Sequence, residues 1–368
     1  MRLLFLCKRR PQGRDLLTRP YGRFFYLPYH LAQQGCDVTI LLLGYDNEPP
    51  VHCYAHGMEW YVESLRPLIQ SVGPLAYIRR AQVLVQTYKP DWIIGLSDTW
   101  YGILATHLGK KYGVKTLVDA YDNYESYIPW AKPLHWAWRS ALRKATALTA
   151  AGPQLAALMS QGREGSSASV IPMAADPIFQ PIIDGSLRKR FGLKEGMPLV
   201  GYCGSLYRNR GMEVMFKAMQ LLLDDVPDAK LVISGRCEQN LEIPESIRNA
   251  VIHLGYLPDE LMPKLLNVMD VLLVVNLNSA FGNYSYPVKL YEAMGCRKPV
   301  VASSTASTSW ILRDHPDCLA KNGDAEQLAS RVCDALSCKT KEYTSNCDWA
   351  YSASLLRDLL EVSQSVMR

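Results

Sequence analysis

Short apolar runs alternate with helical stretches along the whole chain, and this alternation constrains the fold more than any other feature. The first series of runs comprises residues 2–6, 38–43, 91–96, 115–120, 145–150 and 168–173. The second series comprises residues 198–203, 230–235, 250–255, 271–275 and 299–303. Strands that alternate with helices form parallel sheets covered by helices on both faces. The sequence therefore predicts an α/β protein with two Rossmann-like units in series.

The length of the chain and a break in this pattern predict where the units divide. A chain of 368 residues is too long for one ordinary core. The alternation stops at the proline-punctuated segment AADPIFQPIIDGS. We expect an N-terminal domain over 1–178, a C-terminal domain over 179–347, and a helix over 348–368 that packs back toward the N-terminal domain. Parallel sheets bind ligands beyond the carboxyl ends of their strands, so two facing sheets would form a deep interdomain cleft.

The composition excludes several classes of protein. Hydrophobic residues make up 48% and charged residues 20% of the chain, which fits a globular protein rather than a disordered one. The ten cysteines are scattered without a CxxC pair, which indicates a reducing compartment and no zinc site. The first apolar run is too short for a signal peptide or a membrane span. We therefore expect a cytoplasmic protein, and no motif suggests a nucleic-acid partner.

Positive charge is concentrated at the start of the chain. The formal net charge is only +5. The first 25 residues nevertheless contain a single acid, Asp15, against these basic residues: Arg2, Lys8, Arg9, Arg10, Arg14, Arg19 and Arg23. Such a local bias implies an anionic neighbour, such as phosphate or a lipid headgroup.

A second basic segment, PWAKPLHWAWRSALRK (129–144), is rich in tryptophan and contains no acid. Its aromatic and basic residues are Trp130, Trp136, Trp138, Lys132, Arg139, Arg143 and Lys144. Aromatic bodies with basic heads suit a membrane interface, which would place the protein peripherally on the inner face of an anionic membrane. A helix that packs its tryptophans into the core gives the same pattern, and the sequence leaves both interpretations open.

A turn with glycines and arginines, GSLYRNRG, follows the apolar run at 198–203. Gly204 and Ser205 form the turn, and Gly211 opens the next helix. Arg208 and Arg210 add two cations. Backbone amides, the helix dipole and guanidinium groups can together bind a diphosphate. A tight turn with solvated arginines is the structural alternative.

The segment YSYPVKLYEAMGCRKPVVAS (284–303) predicts a helix with a charged start. Pro287 suits the first turn, with Ser285 or Tyr286 near the cap position. Lys289 and Glu292 are three residues apart and share a helix face. Lys289 would contact an anion at the helix N-terminus, and Glu292 would reach ribose hydroxyls. A weak surface ion pair between the two is the alternative.

Two loops of the first half carry further candidate residues. The basic loop after the first run ends in Gly22 and Arg23, and it is either a ligand-side loop or an ordinary surface loop. Asp119 and Asp122 lie at the end of the run at 115–120, where a carboxylate can act as a general base or orient a hydroxyl. Each aspartate taken alone is more often a helix cap or a turn residue.

These segments, taken in order, resemble the retaining glycosyltransferases of family 4 and their relatives, the glycosyl transferases group 1. That family has the GT-B fold of two facing Rossmann-like domains. VIPMAADPIFQP resembles the family's linker, GYCGSLYRNRG its phosphate turn, VIHLGYLPDELMPKLLNVMDVLLV its next strand–helix–strand, and YSYPVKLYEAMGCRKPVVAS its donor-site helix. The match is strongest over 168–330, and the N-terminal half matches in layout.

The motifs and the resemblance together imply site residues. The implied donor-binding residues are Gly204, Ser205, Arg208, Arg210, Gly211, Tyr284, Ser285, Tyr286, Pro287, Val288, Lys289 and Glu292. The implied acceptor-binding residues are Gly22, Arg23, Asp119 and Asp122, and the implied catalytic residues are Asp122, Arg210 and Lys289. The sequence departs from the family at two positions. Tyr284 replaces a glutamate that contacts the donor sugar, and Ser205 replaces an arginine.

The resemblance implies that the protein moves a hexose from a UDP or GDP sugar to a glycan or lipid-linked acceptor. Transfer would retain the anomeric configuration and serve synthesis of cell-surface polysaccharide or glycoconjugate. Cationic side chains would neutralise the leaving diphosphate, so we expect no essential metal or other cofactor. A GT-B epimerase or hydrolase and an inactive nucleotide-sugar-binding scaffold are the alternatives. A dinucleotide oxidoreductase is the weakest, because no GxGxxG follows the first run.

Overall fold

A computed structural model describes residues 1–46, 48–65, 74–165, 167–207, 210–238, 242–344 and 348–365. The chain divides into two compact units. The first unit contains residues 1–174 and the C-terminal helix, and the second contains residues 175–346. The division between Ala174 and Ala175 falls slightly before the boundary expected at 178.

The first unit is built on an eight-stranded sheet. Its strands are β1 (Arg2–Lys8), β2 (Asp37–Gly44), β3 (Val51–Ala55), β4 (Met58–Ser64), β5 (Trp92–Gly95), β6 (Lys115–Ala120), β7 (Ala147–Ala150) and β8 (Ser169–Val170). The order across the sheet is β3-β4-β2-β1-β5-β6-β7-β8, and only the β3–β4 pair is antiparallel. β1 lies near the centre, and its residues from Leu3 to Cys7 are fully buried.

Helices connect the parallel strands of this unit. They are α1 (Gly22–Gln33), α2 (Leu75–Tyr88), α3 (Thr99–Tyr112), α4 (Lys132–Lys144) and α5 (Pro153–Met159). Each apolar run of the first series forms a strand, because continuous apolar residues are what a sheet covered on both faces buries. The hairpin of β3 and β4 was not predicted.

The second unit is built on a six-stranded sheet in which all neighbouring strands are parallel. Its strands are β9 (Leu199–Cys203), β10 (Lys230–Ser234), β11 (Val251–His253), β12 (Val271–Val274), β13 (Val300–Ser303) and β14 (Leu319–Ala320). The order is β11-β10-β9-β12-β13-β14. The helices of this unit are α6 (Leu187–Arg190), α7 (Met212–Asp225), α8 (Met262–Val268), α9 (Val288–Gly295), α10 (Ala306–Ile311) and α11 (Ala325–Leu336).

The C-terminal helix α12 (Trp349–Ser365) packs against α1 of the first unit. The Trp349 side chain is buried and stacks on the Tyr26 ring, with the ring centroids 6.1 Å apart. The Arg357 Nη1 group donates a hydrogen bond to the Gln34 carbonyl at 2.8 Å. No helix within the described ranges has the length and apolar character needed to cross a membrane.

The strand order of each sheet changes direction at one place. In the first sheet this place is between β1 and β5, and in the second it is between β9 and β12. The loops that follow two such strands diverge to opposite sides of the sheet and leave a crevice at their carboxyl ends, where open α/β sheets bind ligands. The loop after β9 and the segment between β12 and α9 are therefore positioned to form a site in the second unit.

Candidate functional site

The centre of the site in the second unit is a contact between Gly204 and Lys289. Gly204 follows β9 with a φ of +152°, and Lys289 lies in the first turn of α9. A Cβ atom on Gly204 would lie 1.2 Å from the Lys289 Nζ atom. The lysine ammonium therefore packs directly on the bare backbone of the turn, and a side chain at position 204 would have to displace the end of the Lys289 side chain.

A second glycine brings the neighbouring loop to the same place. Gly235 follows β10 with a φ of +143°, and a Cβ atom there would lie 2.1 Å from the Gly204 carbonyl oxygen. The Gly204 amide donates a hydrogen bond to the Ser234 carbonyl at 2.7 Å. The two loops thus pack backbone against backbone. The sequence analysis missed Gly235, although the run KLVISG ends in it.

The helix α9 presents both of its predicted charged residues on one face. Pro287 occupies the N-cap with a φ of −67°, and the helix begins at Val288. Pro287 was expected in the first turn and is instead the N-cap, and Ser285 and Tyr286 precede it. Both residues belong to the preceding loop, because the Ser285 amide bonds the Phe281 carbonyl at 2.9 Å and the Tyr286 ring packs edge-on against Trp310.

The loop that carries Tyr284 is tied to the start of α10. The Ser307 hydroxyl donates a hydrogen bond to the Gly282 carbonyl at 3.0 Å, and the Ala306 amide donates one to the Asn283 side-chain oxygen at 3.2 Å. Tyr284 itself is half-buried, and its amide donates to the Phe281 carbonyl at 3.2 Å. Hydrogen bonds from the start of α10 and hydrogen bonds within the loop thus both hold the turn before α9. The sequence did not predict these contacts.

Burial and charge perturb the Lys289 ammonium. Burial is the larger cause, and the positive charge of Arg210 adds to it, so that the pKa of Lys289 falls to about 8. Cys203 and Glu292 act in the opposite direction. The Glu292 side chain is buried, and the Lys289 Nζ atom lies 5.4 Å from the centroid of the Tyr202 ring. A bound anion would stabilise the charged form of such a buried lysine, so anion binding at this position is favourable.

Arg210 supplies a second cation beside this turn. Its guanidinium lies 5.6 Å from the Tyr207 ring centroid and 5.1 Å from that of Phe281. Gly211 follows with a φ of +83° and forms the N-cap of α7. The structure thus brings together Gly204, Arg210, Lys289 and Glu292 as one group. Ser205 contributes its carbonyl, which accepts a hydrogen bond from the Tyr202 hydroxyl at 3.2 Å, while Arg208 lies outside the described residues.

In the first unit, Arg23 and Asp119 are bound to each other inside the domain. Their side chains are almost fully buried, and two hydrogen bonds of 2.8 and 2.5 Å join them. Arg23 also donates to the Ile171 carbonyl at 2.7 Å, and Asp119 accepts from the Thr149 hydroxyl at 2.7 Å. Because these polar atoms are used within the domain, the arrangement supports a structural role and does not support acceptor binding by this pair.

The other two predicted acceptor residues lie near the same strand ends. Gly22 is the first residue of α1 and has a φ of +59°. Asp122 follows β6, is half-buried and accepts a hydrogen bond from the Tyr127 hydroxyl at 2.5 Å. Its role as a general base stays a prediction.

The sequence analysis missed a polar group where the first sheet changes direction. The Lys8 amide at the end of β1 donates to the Ser97 hydroxyl at 3.2 Å, and the Lys8 ammonium lies 3.7 Å from Asp98. Ser97 is buried and has a φ of +73°, which is rare for a residue with a side chain. Burial raises the pKa of Asp98, and Lys8 opposes this shift. The polar triplet SDT after the run at 91–96 is the signal that could have identified it.

The basic N-terminal loop is largely neutralised within the first unit. Arg9 pairs with Asp15 at 2.9 Å and also with Glu48, and Arg10 pairs with Glu48 at 2.6 Å and also with Asp46. The expectation of an anionic neighbour was based on charges close in sequence. Two of the compensating acids, Asp46 and Glu48, lie after β2, so the count over the first 25 residues overstated the available positive charge.

Two family profiles together match most of the chain. The sequence profile described as glycosyl transferases group 1 matches residues 197–338. The profile described as glycosyl transferase 4-like domain matches residues 26–174. The chain belongs to the glycosyl transferases group 1. The site around Lys289 lies within the match to the first profile. Arg23 precedes the match to the second profile, and Asp119 lies within it.

Individual relatives of this glycosyltransferase family are distant in sequence. The 2-deoxystreptamine glucosyltransferase of Streptomyces kanamyceticus is 27% identical over 206 residues, which is 53% of this chain and 52% of that protein. The chain thus matches about half the length of that relative. The EpsD protein of Bacillus subtilis is 23% identical over 336 residues, with 84% of this chain and 82% of that protein covered.

Solved structures with the same fold cover the whole chain. Sucrose-phosphate synthase from Thermosynechococcus elongatus aligns with a TM-score of 0.70 at 16% identity, covering 100% of both chains. Anabaena HepE in complex with UDP aligns with a TM-score of 0.69 at 15% identity, covering 100% of this chain and 98% of the other. The fold is GT-B, as the family resemblance implied.

Proposed function

We propose that this glycosyltransferase-family protein transfers a hexose from a nucleoside-diphosphate sugar to a glycan or lipid-linked acceptor, with retention at the anomeric carbon. The observation that carries the proposal is the Lys289 ammonium packed on the bare backbone of Gly204 at the carboxyl end of β9. A half-buried cation with a lowered pKa, beside a helix start, suits the diphosphate of such a donor.

The chemistry would use the grouped residues as follows. The bond between the anomeric carbon and the diphosphate oxygen breaks, and the diphosphate leaves with the electron pair. Lys289 and Arg210 neutralise the charge that develops on it. The acceptor hydroxyl oxygen forms the new bond on the same face of the sugar and loses its proton to a general base, a role for which Asp122 stays a prediction. Glu292 binds the ribose hydroxyls of the nucleotide.

UDP-glucose is the donor that we infer. Anabaena HepE has been crystallised with UDP and with UDP-glucose, and the Streptomyces kanamyceticus relative is named a glucosyltransferase. We further propose that the protein acts at the cytoplasmic side of a membrane in synthesis of a polysaccharide or glycoconjugate.

The test is a transfer assay with a panel of UDP, GDP and ADP sugars and a mixed pool of glycan and lipid-linked acceptors. We expect transfer, or slow donor hydrolysis, with one nucleotide class. Lys289→Ala and Glu292→Ala should each lower kcat/KM at least about tenfold, whereas Lys217→Ala, at an exposed lysine of α7, should not. Well-folded protein that neither transfers nor hydrolyses any donor would contradict the proposal.

A second candidate function is a nucleotide-sugar-binding scaffold without turnover. It is favoured by Tyr284 and Ser205, which replace a charged residue of the related glycosyltransferases at each position. Binding of a nucleotide without turnover in any acceptor pool would support the scaffold. Release of an altered or free sugar without acceptor would instead indicate the epimerase or hydrolase.

Metal independence is a separate part of the proposal. Lys289 and Arg210 would supply the positive charge that a divalent ion supplies in other transferases. Addition of a chelator should therefore leave the transfer rate unchanged. A rate that falls with chelator and returns with Mg²⁺ or Mn²⁺ would contradict this part.

A further inference from the structure

The first unit exposes two large aromatic side chains on and just before α4. Trp130 is 79% exposed and Trp136 is 83% exposed. Lys132, Arg143 and Lys144 lie in the same short segment and are also exposed. We call these five side chains the α4 surface. Tryptophan is highly buried on average in folded proteins, so two nearly bare indoles in one segment need an explanation.

The packing of α4 explains why the Trp136 side chain is exposed. Trp138, Ala141 and Leu142 are buried, and the Trp138 ring packs edge-on against Tyr124 with the centroids 5.7 Å apart. Lys132, Trp136 and Arg143 are spaced four and seven residues apart, so they share one helix face, which lies opposite the buried one. Trp138 therefore anchors the helix, and Trp136 is directed away from the core.

The charge of the α4 surface has one sign. Residues 129–144 contain no acid, and the nearest one, Glu125, is bound by both oxygens to Arg139 at 2.7 and 2.8 Å. Within the part of the chain that the structure describes, Lys132, Arg143 and Lys144 have no carboxylate at ion-pair distance. Three cations thus flank two indoles without internal neutralisation, in contrast to Arg9 and Arg10 of the N-terminal loop.

We propose that the α4 surface docks on an anionic lipid bilayer. Indole rings partition to the headgroup level of a membrane, and exposed lysine and arginine gain from the negative potential of anionic lipids. Indoles can also stack on sugar rings. The clustered cations, however, match a dense anionic surface better than a neutral glycan. Docking here would give the membrane location of the proposed function its surface. Because docking needs no donor or acceptor, its failure is distinguishable from a failure of sugar transfer.

The experiment is cosedimentation of the full chain with vesicles of phosphatidylcholine alone or mixed in equal parts with phosphatidylglycerol. We expect binding to the mixed vesicles that weakens as salt is raised. Trp130→Ala/Trp136→Ala should weaken it at least about tenfold. Lys132→Gln/Arg143→Gln/Lys144→Gln should weaken it by about fivefold for each charge removed at low ionic strength.

Matched control variants test whether vesicle binding depends on the α4 surface or on exposed aromatic and basic side chains anywhere on the protein. Tyr54→Ala removes a 76% exposed aromatic residue on the far edge strand β3, and Lys189→Gln/Arg190→Gln/Lys194→Gln removes three exposed cations from the second unit. Both controls should bind mixed vesicles like the wild type. Equal binding to the two kinds of vesicle, no binding, or equal losses in the controls would overturn the proposal. Loss of retention on a glycan matrix, with vesicle binding unchanged, would assign the surface to sugar instead.

Discussion

At the scale of single residues, the site depends on the absence of a side chain at Gly204. The absence of a side chain lets the Lys289 ammonium reach the backbone of the turn, and the same absence lets the Gly235 loop approach from the other side. Both glycines have φ values in the range that disfavours side chains. The lysine position is thus fixed by backbone geometry, and Arg210 and Glu292 then set the charge around it.

Gly204→Ala should disrupt this arrangement. The new methyl group would occupy the position of the Nζ atom, so Lys289 must move, and the backbone becomes strained. We expect nucleotide affinity to fall at least about tenfold and the free energy of unfolding to fall by about 1–3 kcal/mol. Gly185→Ala is the matched control, because nothing lies within 4 Å of its Cβ position. Calorimetry and urea unfolding measure the two effects, and wild-type affinity in Gly204→Ala would be inconsistent with the packing described.

The lowered pKa of Lys289 predicts a pH dependence of binding. The ammonium is the form that binds a diphosphate, and its pKa in the free protein is about 8. UDP affinity should therefore fall as pH rises through about 8, approaching tenfold per pH unit. The phosphates of UDP stay fully ionised above about pH 7, so they do not contribute to the change. A flat profile in wild type, or a profile in Lys289→Met as steep as that of wild type, would disagree with this account.

The same shift predicts a stability effect of opposite sign. The unfolded chain holds the Lys289 proton up to about 10.5, whereas the folded chain releases it near 8. Stability should therefore rise with pH between these values, because the unfolded state binds more protons there. Lys289→Met should raise the free energy of unfolding at pH 7 by about 1–2 kcal/mol while it weakens nucleotide binding at least about tenfold. Destabilisation by this substitution would show that the ammonium stabilises the fold.

At the scale of elements, the buried pair of Arg23 and Asp119 joins α1 to β6 of the first unit. Arg23→Ala leaves a buried carboxylate without its partner and should lower the free energy of unfolding by about 3–5 kcal/mol. Arg139→Ala breaks a half-exposed pair and should cost less. Denaturant unfolding compares them. A folded Arg23→Ala variant with wild-type stability and a raised acceptor KM would restore the role in acceptor binding.

Elements with continuous apolar sequence were predictable, and the others were not. β1, β2 and β9 are buried on both faces, so their sequences are unbroken apolar runs. β3 and β4 form an antiparallel edge hairpin; β3 alternates half-buried and exposed residues, and β4 begins with alternating buried and half-buried residues, so neither has a continuous apolar run. For the charged site residues, spacing placed Lys289 and Glu292 on one face. Spacing could not predict that Gly204 and Gly235, which are remote in sequence from Lys289, let the lysine ammonium pack against the turn.

At the scale of the whole molecule, the chain ends in the unit where it began. The helix α12 follows the second unit in sequence but buries Trp349 against Tyr26 of α1. We expected an amphipathic helix there that packs back toward the N-terminal domain, and the structure identifies α1 as the helix it contacts. The order of strands and helices in each unit is likewise what the alternation of runs implies.

Trp349→Ala should therefore destabilise the first unit although it lies at the far end of the sequence. Loss of a fully packed indole leaves a cavity and should lower the free energy of unfolding by about 3–5 kcal/mol. Tyr351→Ala, at a 47% exposed position on the same helix, should change it little. Hydrogen exchange resolved by segment measures where protection is lost. Loss confined to the second unit would contradict the packing of α12.

The central claim is that the group around Lys289 binds the diphosphate of a nucleotide. Isothermal titration of UDP, GDP and ADP into wild type, Lys289→Ala, Glu292→Ala and the control Lys217→Ala tests it most directly. We expect wild type and the control to bind one nucleotide with the same affinity, and Lys289→Ala and Glu292→Ala each to weaken that binding at least about tenfold. Binding that neither substitution weakens, or no binding of any nucleotide by folded wild type, would contradict it.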